Sequence, residues 1–412
     1  MYTGASSSKL KLLVIPADQF PPFRVDLAVL FAQKLVARGH KISFLMQSGS
    51  VSDEAYKTQW SGCDVSVGPT DCGDTIFNKM RKYVLSALHD FRMFGLLKSE
   101  KFDFIIVRDK FFSPLPAILL SKLFGVRLLY WLSYPFPEDS LSRVEEGTAR
   151  YPLIYWLRGR LYAFLLYRVI LPNAHHIFVQ SDKMKENLAA HGIEAEKMTP
   201  VPMGVCVSNI PFFGNPATKQ NDLKTIVYLG TLDKSRRIDF LIRSLKLVRN
   251  ECEDVCLYLV GKGDHPSDEL ELREEARRLG VEDHLVITGF LPQDQAWRYL
   301  EYADVCVSPI RPSPVLDAGS PTKLVEYMAA GKAVVANDHP DQRTVISESR
   351  SGICVPYDEK AFADAVVYLL MHPKEAGEMG KRGRDYVEKK RDYEGITDMV
   401  ESRLIVLSRN RK

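Results

Sequence analysis

At 412 residues the chain exceeds what one ordinary hydrophobic core holds, and it suits two domains. Hydrophobic residues make up 46% and charged residues 26%, the balance of a soluble globular protein. A net charge of +3 is too small to argue for a nucleic-acid partner.

Before Leu10 the chain is short and polar, without the apolar run or cleavage site of a secretory leader. Residues 10–17 (LKLLVIPA) read as a buried strand, 25–40 as an amphipathic helix closed by Gly39, and KISFLMQ as a second strand. That spacing predicts a right-handed βαβ unit and a parallel sheet. The loop from Asp18 to Arg24 has no glycine and is no dinucleotide fingerprint, but it can wall a cleft at the strand's carboxyl end. Residues 79–97 read as a helix, 102–109 as a strand, 114–125 as a helix and 126–133 as a strand. Arg108, Asp109, Ser133 and Tyr134 then fall at strand carboxyl ends, the edge that carries ligands in open α/β sheets. Loop residues that merely cap neighbouring helices are the alternative for each.

Residues 151–172 are rich in Tyr, Trp, Leu and Arg. Arg158, Arg160 and Arg168 interrupt them, so they cannot span a membrane. The choice lies between a helix buried on the sheet and an interfacial helix touching anionic lipid. A strand at 175–181 follows, its His175 and His176 read as solvated, then a helix at 183–192 and a strand at 197–205. Residues 208–224 mix Pro, Gly, Asn and Thr without periodicity and read as an interdomain linker.

The αβ rhythm then restarts. Strands are expected at 225–230, 255–264, 284–292 and 304–310, with helices at 238–251, 269–280 and 295–303. The stretch at 319–336, GSPTKLVEYMAAGKAVVA, reads as turn, short helix, turn and buried strand. The free amides of Thr322, Lys323 and Leu324 make a helix start that attracts phosphate. Glu326 lies one turn on, where a carboxylate can accept two hydrogen bonds from a vicinal diol. Any αβ unit with a surface glutamate fits the same residues. A helix at 360–370 and a charged helical tail complete the chain. The seven cysteines (63, 72, 206, 252, 256, 306 and 354) are odd in number and scattered. Reduced thiols in the cytoplasm are expected, and no metal site.

The expected architecture is α/β: two doubly wound, Rossmann-like domains facing each other across a cleft between strand carboxyl ends. The first spans 1–207 and the second 225–385, with the linker at 208–224 between them. A helical tail at 386–412 packs back on the first domain.

From IFVQSDKMKENL and VPMGV onward, the sequence resembles the retaining, nucleotide-sugar-dependent glycosyltransferases of family 4, which have the GT-B fold. TIVYLGTLDKSRRIDFLIRSL, LYLVGKGD, VITGFLP, ADVCVSPI and SPTKLVEYMAAGKAVVA continue the series in order. The first half matches only in rhythm, as a domain binding a variable acceptor would. The resemblance implies that Glu326 holds the donor ribose and that the backbone at Ser320 and Thr322 to Leu324 contacts the donor diphosphate. Arg236 stands where the family usually has a lysine neutralising that diphosphate; its planar fork is a competent substitute. Gly289 and Phe290 match the turn against the nucleobase. Three positions depart. Thr231 replaces a frequent arginine, with Lys234 as the expected compensation. Ala318 replaces the first glutamate of a pair, with Asp317 beside it. The histidine often found after a late strand of the first domain is absent, and Ser133 lies near its position. The implied reaction moves a sugar from a nucleoside diphosphate sugar to a glycan or lipid-linked acceptor with retention, without metal or cofactor. Arg236, Glu326 and Asp317 serve the chemistry, and Asp18, Arg24, Arg108, Asp109, Ser133 and Tyr134 face the acceptor. Peripheral contact with the inner face of the cytoplasmic membrane fits a lipid-linked acceptor. An epimerase-like activity and a non-catalytic regulatory role are the alternatives.

Overall fold

The computed structural model describes residues 9–214 and 223–409, apart from 53, 72 and 74. The chain forms two compact units, residues 1–202 with 393–412, and 203–392.

The first unit is built on nine strands: β1 (Lys11–Pro16), β2 (Gln19–Phe20), β3 (Lys41–Ser48), β4 (Tyr56–Trp60), β5 (Cys63–Gly68), β6 (Phe104–Arg108), β7 (Arg127–Leu132), β8 (His176–Val179) and β9 (Met198–Pro200). Their order is β4-β5-β3-β1-β6-β7-β8-β9, with β2 added beside β3. All pairings are parallel except the β4–β5 hairpin. The central strands β1, β6 and β7 are buried almost end to end, because helices cover both faces of a parallel sheet. A π-wound helix over Asp26–Leu35 follows β2. Next come α1 (Ile76–Asp90), α2 (Arg92–Ser99), α3 (Pro114–Phe124), α4 (Phe136–Glu145), α5 (Pro152–Phe164), α6 (Leu171–Asn173) and α7 (Asp182–Ala190).

Two expectations fail, and the choice left open at 151–172 splits. The helix expected over 79–97 is two helices, broken at Phe91. The stretch at 151–172 is divided in burial. Only Gly159 of α5 is buried, whereas Leu165, Leu166, Ile170 and Leu171 just beyond it are core residues. His176 is buried, not solvated, and bonds Thr199 Oγ1 at 2.8 Å.

The second unit holds six parallel strands: β10 (Lys224–Leu229), β11 (Val255–Val260), β12 (Leu285–Ile287), β13 (Val305–Ser308), β14 (Val334–Asn337) and β15 (Gly352–Val355). Their order is β12-β11-β10-β13-β14-β15. The helices are α8 (Asp239–Glu251), α9 (Pro266–Leu279), α10 (Gln293–Glu301), α11 (Pro314–Asp317), α12 (Thr322–Ala329), α13 (Pro340–Ser349), α14 (Glu359–Met371) and α15 (Pro373–Lys390). One core lies between the sheet, α8, α9 and α14; the other lies between the sheet, α10, α12 and α13.

The boundaries differ from expectation by a few residues at each crossing. Residues 203–207 belong to the second unit because Val205 pairs with Asp392 there and its amide bonds Arg391 O at 2.9 Å. The tail divides after Asp392, and α16 (Tyr393–Arg409) belongs to the first unit. Its Glu394, Asp398 and Glu401 pair with Arg38 at 2.6, 2.7 and 2.7 Å. Most of the linker expected at 208–224 lies outside the described residues.

Candidate functional site

Strand order locates the candidate site in the second unit. From β10 the strands run to β11 and β12 on one side; from β13 they run to β14 and β15 on the other. The order reverses between β10 and β13, and a crevice beyond the carboxyl ends opens at such a point. The loop after β10 carries Thr231, Lys234 and Arg236; the segment after β13 carries Asp317, Ser320 and the start of α12. Both loops therefore border the reversal.

The strand ends are pinched close together. A Cβ on Gly261 would lie 1.9 Å from the Gly230 oxygen, so only glycine fits there, at φ +154°. Gly261 also bridges to Gly289, itself at φ +72°. Phe290 beyond it is 70% exposed, with Lys262 Nζ 5.6 Å from its ring centre. An open aromatic face with a cation over it can take a stacked base.

Helix α12 is pinned to β10 by two tyrosines. The Tyr327 hydroxyl, fully buried, accepts from Leu229 N at 2.7 Å. One turn earlier, Lys323 Nζ donates to the Tyr228 hydroxyl at 2.9 Å and lies 4.3 Å from the centre of that ring. Tyr228 in turn donates to Thr231 O at 3.1 Å. Thr231 and Lys323 are thus brought together. Pro321 precedes α12 and offers no side-chain cap to the amides of its first turn. The Leu324 side chain is wholly buried, which leaves only its backbone amide for a ligand.

Glu326 is half-buried against α10. Gln293 Nε2 donates to it at 3.0 Å, and Trp297 adds a second hydrogen bond. Burial pushes its carboxyl up to about 7, against the pull of Gln293 and Lys323.

Other expected residues lie apart from this group. Arg236 sits on a short 3-10 turn, 46% exposed, with Asp233 at 3.5 Å as its ion-pair partner. It shares no hydrogen bond or ion pair with Lys323 or Glu326 among the described residues. Lys234 pairs with Glu271 of α9 at 2.9 Å and is not turned to residue 231. Asp317 ends α11, and Ala318 beside it is buried, so the first-glutamate position points into the interior. Ser320 is a structural junction. Its hydroxyl accepts from Met203 N and Arg391 Nη1 at 3.0 and 3.1 Å and donates to Asp341 at 2.9 Å.

In the first unit the order reverses between β1 and β6, and most of the expected acceptor-side residues meet there. Arg108, buried at the end of β6, bonds Asp18, Asp26 Oδ2 (2.9 Å) and Ser133 Oγ (3.1 Å). Ser133 donates its hydroxyl to Asp109 and its amide to Asp109 Oδ1 at 2.8 Å. Arg24 pairs with Asp18 at 3.2 Å. Burial pushes the Asp109 carboxyl up, with Arg108 opposing. Asp109 also holds φ +55°, uncommon for a residue with a side chain and a mark of local strain. Tyr134 donates to Asp139 at 3.0 Å.

Sequence reasoning missed Tyr228, Gln293, Trp297, Asp26 and Arg391. Tyr327 carried a signal, since it lies four residues after Lys323 and so on the same helix face. Gln293, Trp297 and Arg391 come from distant segments and leave no local trace.

Residues 223–372 match the family described as "Glycosyl transferases group 1", and residues 28–204 match "Glycosyl transferase 4-like domain". The phosphatidyl-myo-inositol mannosyltransferase of Mycobacterium leprae is 33% identical over 172 residues, 41% of this chain and 43% of that protein. The alpha-monoglucosyldiacylglycerol synthase of Streptococcus pneumoniae is 22% identical over 67% of this chain and 60% of its own length. The chain thus spans less than two thirds of either relative. Among solved structures, a sucrose-phosphate synthase from Thermosynechococcus elongatus superposes with a TM-score of 0.72, covering 97% of this chain and 99% of that one at 18% identity. That likeness shows the fold, GT-B with two Rossmann-like units.

Proposed function

The chain belongs to the group 1 glycosyl transferases, and on that premise we propose that it moves a sugar from a nucleoside diphosphate sugar to a hydroxyl of a lipid or lipid-linked glycan, with retention of configuration. One observation carries the reading. At the reversal point of the second sheet, one eight-residue helix presents uncapped amides, an ammonium and a carboxyl in its first two turns. Lys323 and the amides would oppose the charge that gathers on the diphosphate as the sugar–oxygen bond breaks, and Arg236, on the loop after β10, would join them by leaving Asp233. Glu326 would accept from the ribose hydroxyls. The leaving phosphate would take the acceptor's proton, so the step needs no protein nucleophile. With the diphosphate neutralised by the chain itself, the proposed reaction takes no metal or cofactor.

The acceptor and the membrane contact rest on separate support. Both curated relatives act on lipids, as their names state. In the first unit α1, α3 and α5 expose Phe77, Val84, Leu119, Leu123, Leu157 and Phe164. Tyr162 joins these helices: it hydrogen-bonds Tyr83 of α1, and its ring lies 6.1 Å from that of Phe112, just before α3. Arg150 and Arg160 lie over Tyr151 and Trp156. Exposed apolar side chains with guanidinium groups among them fit the surface of an anionic bilayer. No helix among the described residues is long and apolar enough to cross one. The proposed location is the cytoplasmic side of the membrane.

The test supplies UDP-glucose or GDP-mannose with vesicles holding phosphatidylinositol or diacylglycerol, with and without phosphatidylglycerol, and reads glycolipid by mass spectrometry. One donor and acceptor pair should give product, faster on the anionic vesicles. Arg236→Ala should slow it about 100-fold. Donor consumed without lipid product, or no donor consumed, would count against transfer. Equal rates with and without phosphatidylglycerol would count against the membrane contact.

A further inference from the structure

Granting the transfer proposed above, we infer that Phe23 is the platform for a neutral hexose ring at the end of the acceptor, with Asp18 and Arg24 binding its hydroxyls. The chain then extends a glycolipid in preference to placing the first sugar on a bare lipid.

Phe23 lies between β2 and the π-wound helix, in the segment that leaves the carboxyl end of β1 where the strand order reverses. Its side chain is 88% exposed. One exposed aromatic on a loose surface segment would mean little. This segment is held on both sides. Phe20 pairs with β3, its carbonyl accepts from Gly49 N at 2.9 Å, and its ring meets Trp60 edge-to-face. Pro22 is buried. Beyond Phe23, Arg24 O accepts from Ala28 N at 2.9 Å, and the buried Asp26 bonds Arg108 at 2.9 Å. A fixed backbone thus keeps a large apolar ring in water, and a ligand that covers it gains the burial.

The groups beside the ring suit a sugar. Arg24 Cζ lies 6.0 Å from the ring centre, and Arg24 Nε pairs with Asp18 Oδ1 at 3.2 Å. Asp18 Oδ2 takes Arg108, so each carboxylate oxygen keeps a lone pair for a hydroxyl. Arg108 Nε is buried with no hydrogen-bond partner among the described residues, a donor that a ligand oxygen can satisfy. Aromatic ring, guanidinium and carboxylate therefore stand side by side. The C–H face of a pyranose packs on the negative face of an aromatic ring, and its rim of hydroxyls both donates and accepts. Charge then selects among such rings. Arg24 and Arg108 meet three carboxylates, those of Asp18, Asp26 and Asp109. No positive charge is left over for a phosphate or a uronate, so the ring that binds is neutral.

The test uses the full chain. Saturation-transfer NMR reads binding of methyl β-glucoside, methyl α-mannoside and methyl β-glucuronide. Mass spectrometry reads transfer to diacylglycerol and to monoglucosyldiacylglycerol in the same anionic vesicles. At least one neutral glycoside should receive saturation, and the glucuronide none. Transfer should be about tenfold faster on the glucosyl lipid, the worth of one aromatic contact. Phe23→Ala and Phe23→Leu should both lose the NMR signal and raise the glucosyl-lipid KM about tenfold with little change in kcat, whereas Phe23→Trp should keep both. The side chain stands in solvent, so melting temperatures should match wild type. No saturation of either neutral glycoside would overturn the assignment, and so would a wild-type KM in Phe23→Ala. A wild-type KM in Phe23→Leu would make the residue an apolar contact with the bilayer and overturn it equally, as would stronger saturation of the glucuronide or faster transfer to diacylglycerol. Saturation of a neutral glycoside without transfer to either lipid would remove the transfer reading and leave the ring subsite standing.

Discussion

Glu326 shows how one side chain can serve a ligand at the expense of the fold. Its carboxyl is held up to about 7, from an ordinary 4.5, because burial disfavours its charge. The folded state therefore keeps the proton to higher pH than the unfolded chain does. Its contribution to stability is greatest below about 4.5, falls as pH rises toward 7, and levels off above that. Glu326→Gln carries no titrating proton, so the difference in melting temperature between the variant and wild type should widen in the variant's favour between pH 5 and 8. A difference that stayed flat across that range would mean the carboxyl ionises normally. The same substitution removes one acceptor oxygen together with the charge, so a loss of turnover would report a weakened grip on the ribose hydroxyls. The glutamate was legible in the sequence from its place one turn into α12. Its altered acidity was not, because Gln293 and Trp297 reach it from α10, about thirty residues earlier.

At the scale of elements, the segment leading into α12 is fixed by a junction of four groups. Arg391, at the end of α15, bonds Asp341 of α13 at 2.6 Å, Ser320 Oγ at 3.1 Å and Met203 O at 3.3 Å. Both ions are nearly buried, so removing one strands the other. Arg391→Met should cost about 3–5 kcal/mol in urea unfolding, while Arg391→Met with Asp341→Leu should recover most of it. A loss under about 1 kcal/mol for the single variant would show that the junction contributes little. Ser320 looked in the sequence like part of a phosphate-binding turn. Its hydroxyl is committed to Arg391, 71 positions later, a pairing that no local pattern announces. Elements with strong periodicity were easier. Parallel strands such as β1, β6 and β13 are unbroken apolar runs because both faces are covered. The β4–β5 hairpin at the sheet edge was invisible by the same logic, since YKTQW is largely exposed and its pattern is that of a loop.

For the whole molecule, the sequence revealed two αβ series but placed their boundaries only approximately. The crossings at 202/203 and 392/393 are set by where backbone partners change. Val205 pairs with Asp392 within the second unit, while α16 joins the first through Arg38 and through His40, whose Nε2 lies 2.8 Å from Glu401. Strand carboxyl ends were easier to place than the boundaries. Residues expected on ligand edges do border β1/β6 and β10/β13, because strand order follows from chain order and handedness. Which of those residues carries free charge was settled only by side-chain pairing. Lys234 and Lys323 look alike in sequence, yet one is spent on Glu271 and the other is not.

The central claim is that a nucleoside diphosphate lies against the β10/β13 edge of the second unit. Amide hydrogen exchange of the full chain with and without UDP or GDP tests it most directly. One of the two nucleotides should slow exchange at residues 230–237, at 288–291 and at the start of α12, with the opposite sheet edge unchanged. Protection confined to the amino ends of these strands, or none with either nucleotide at saturating concentration, would contradict the account.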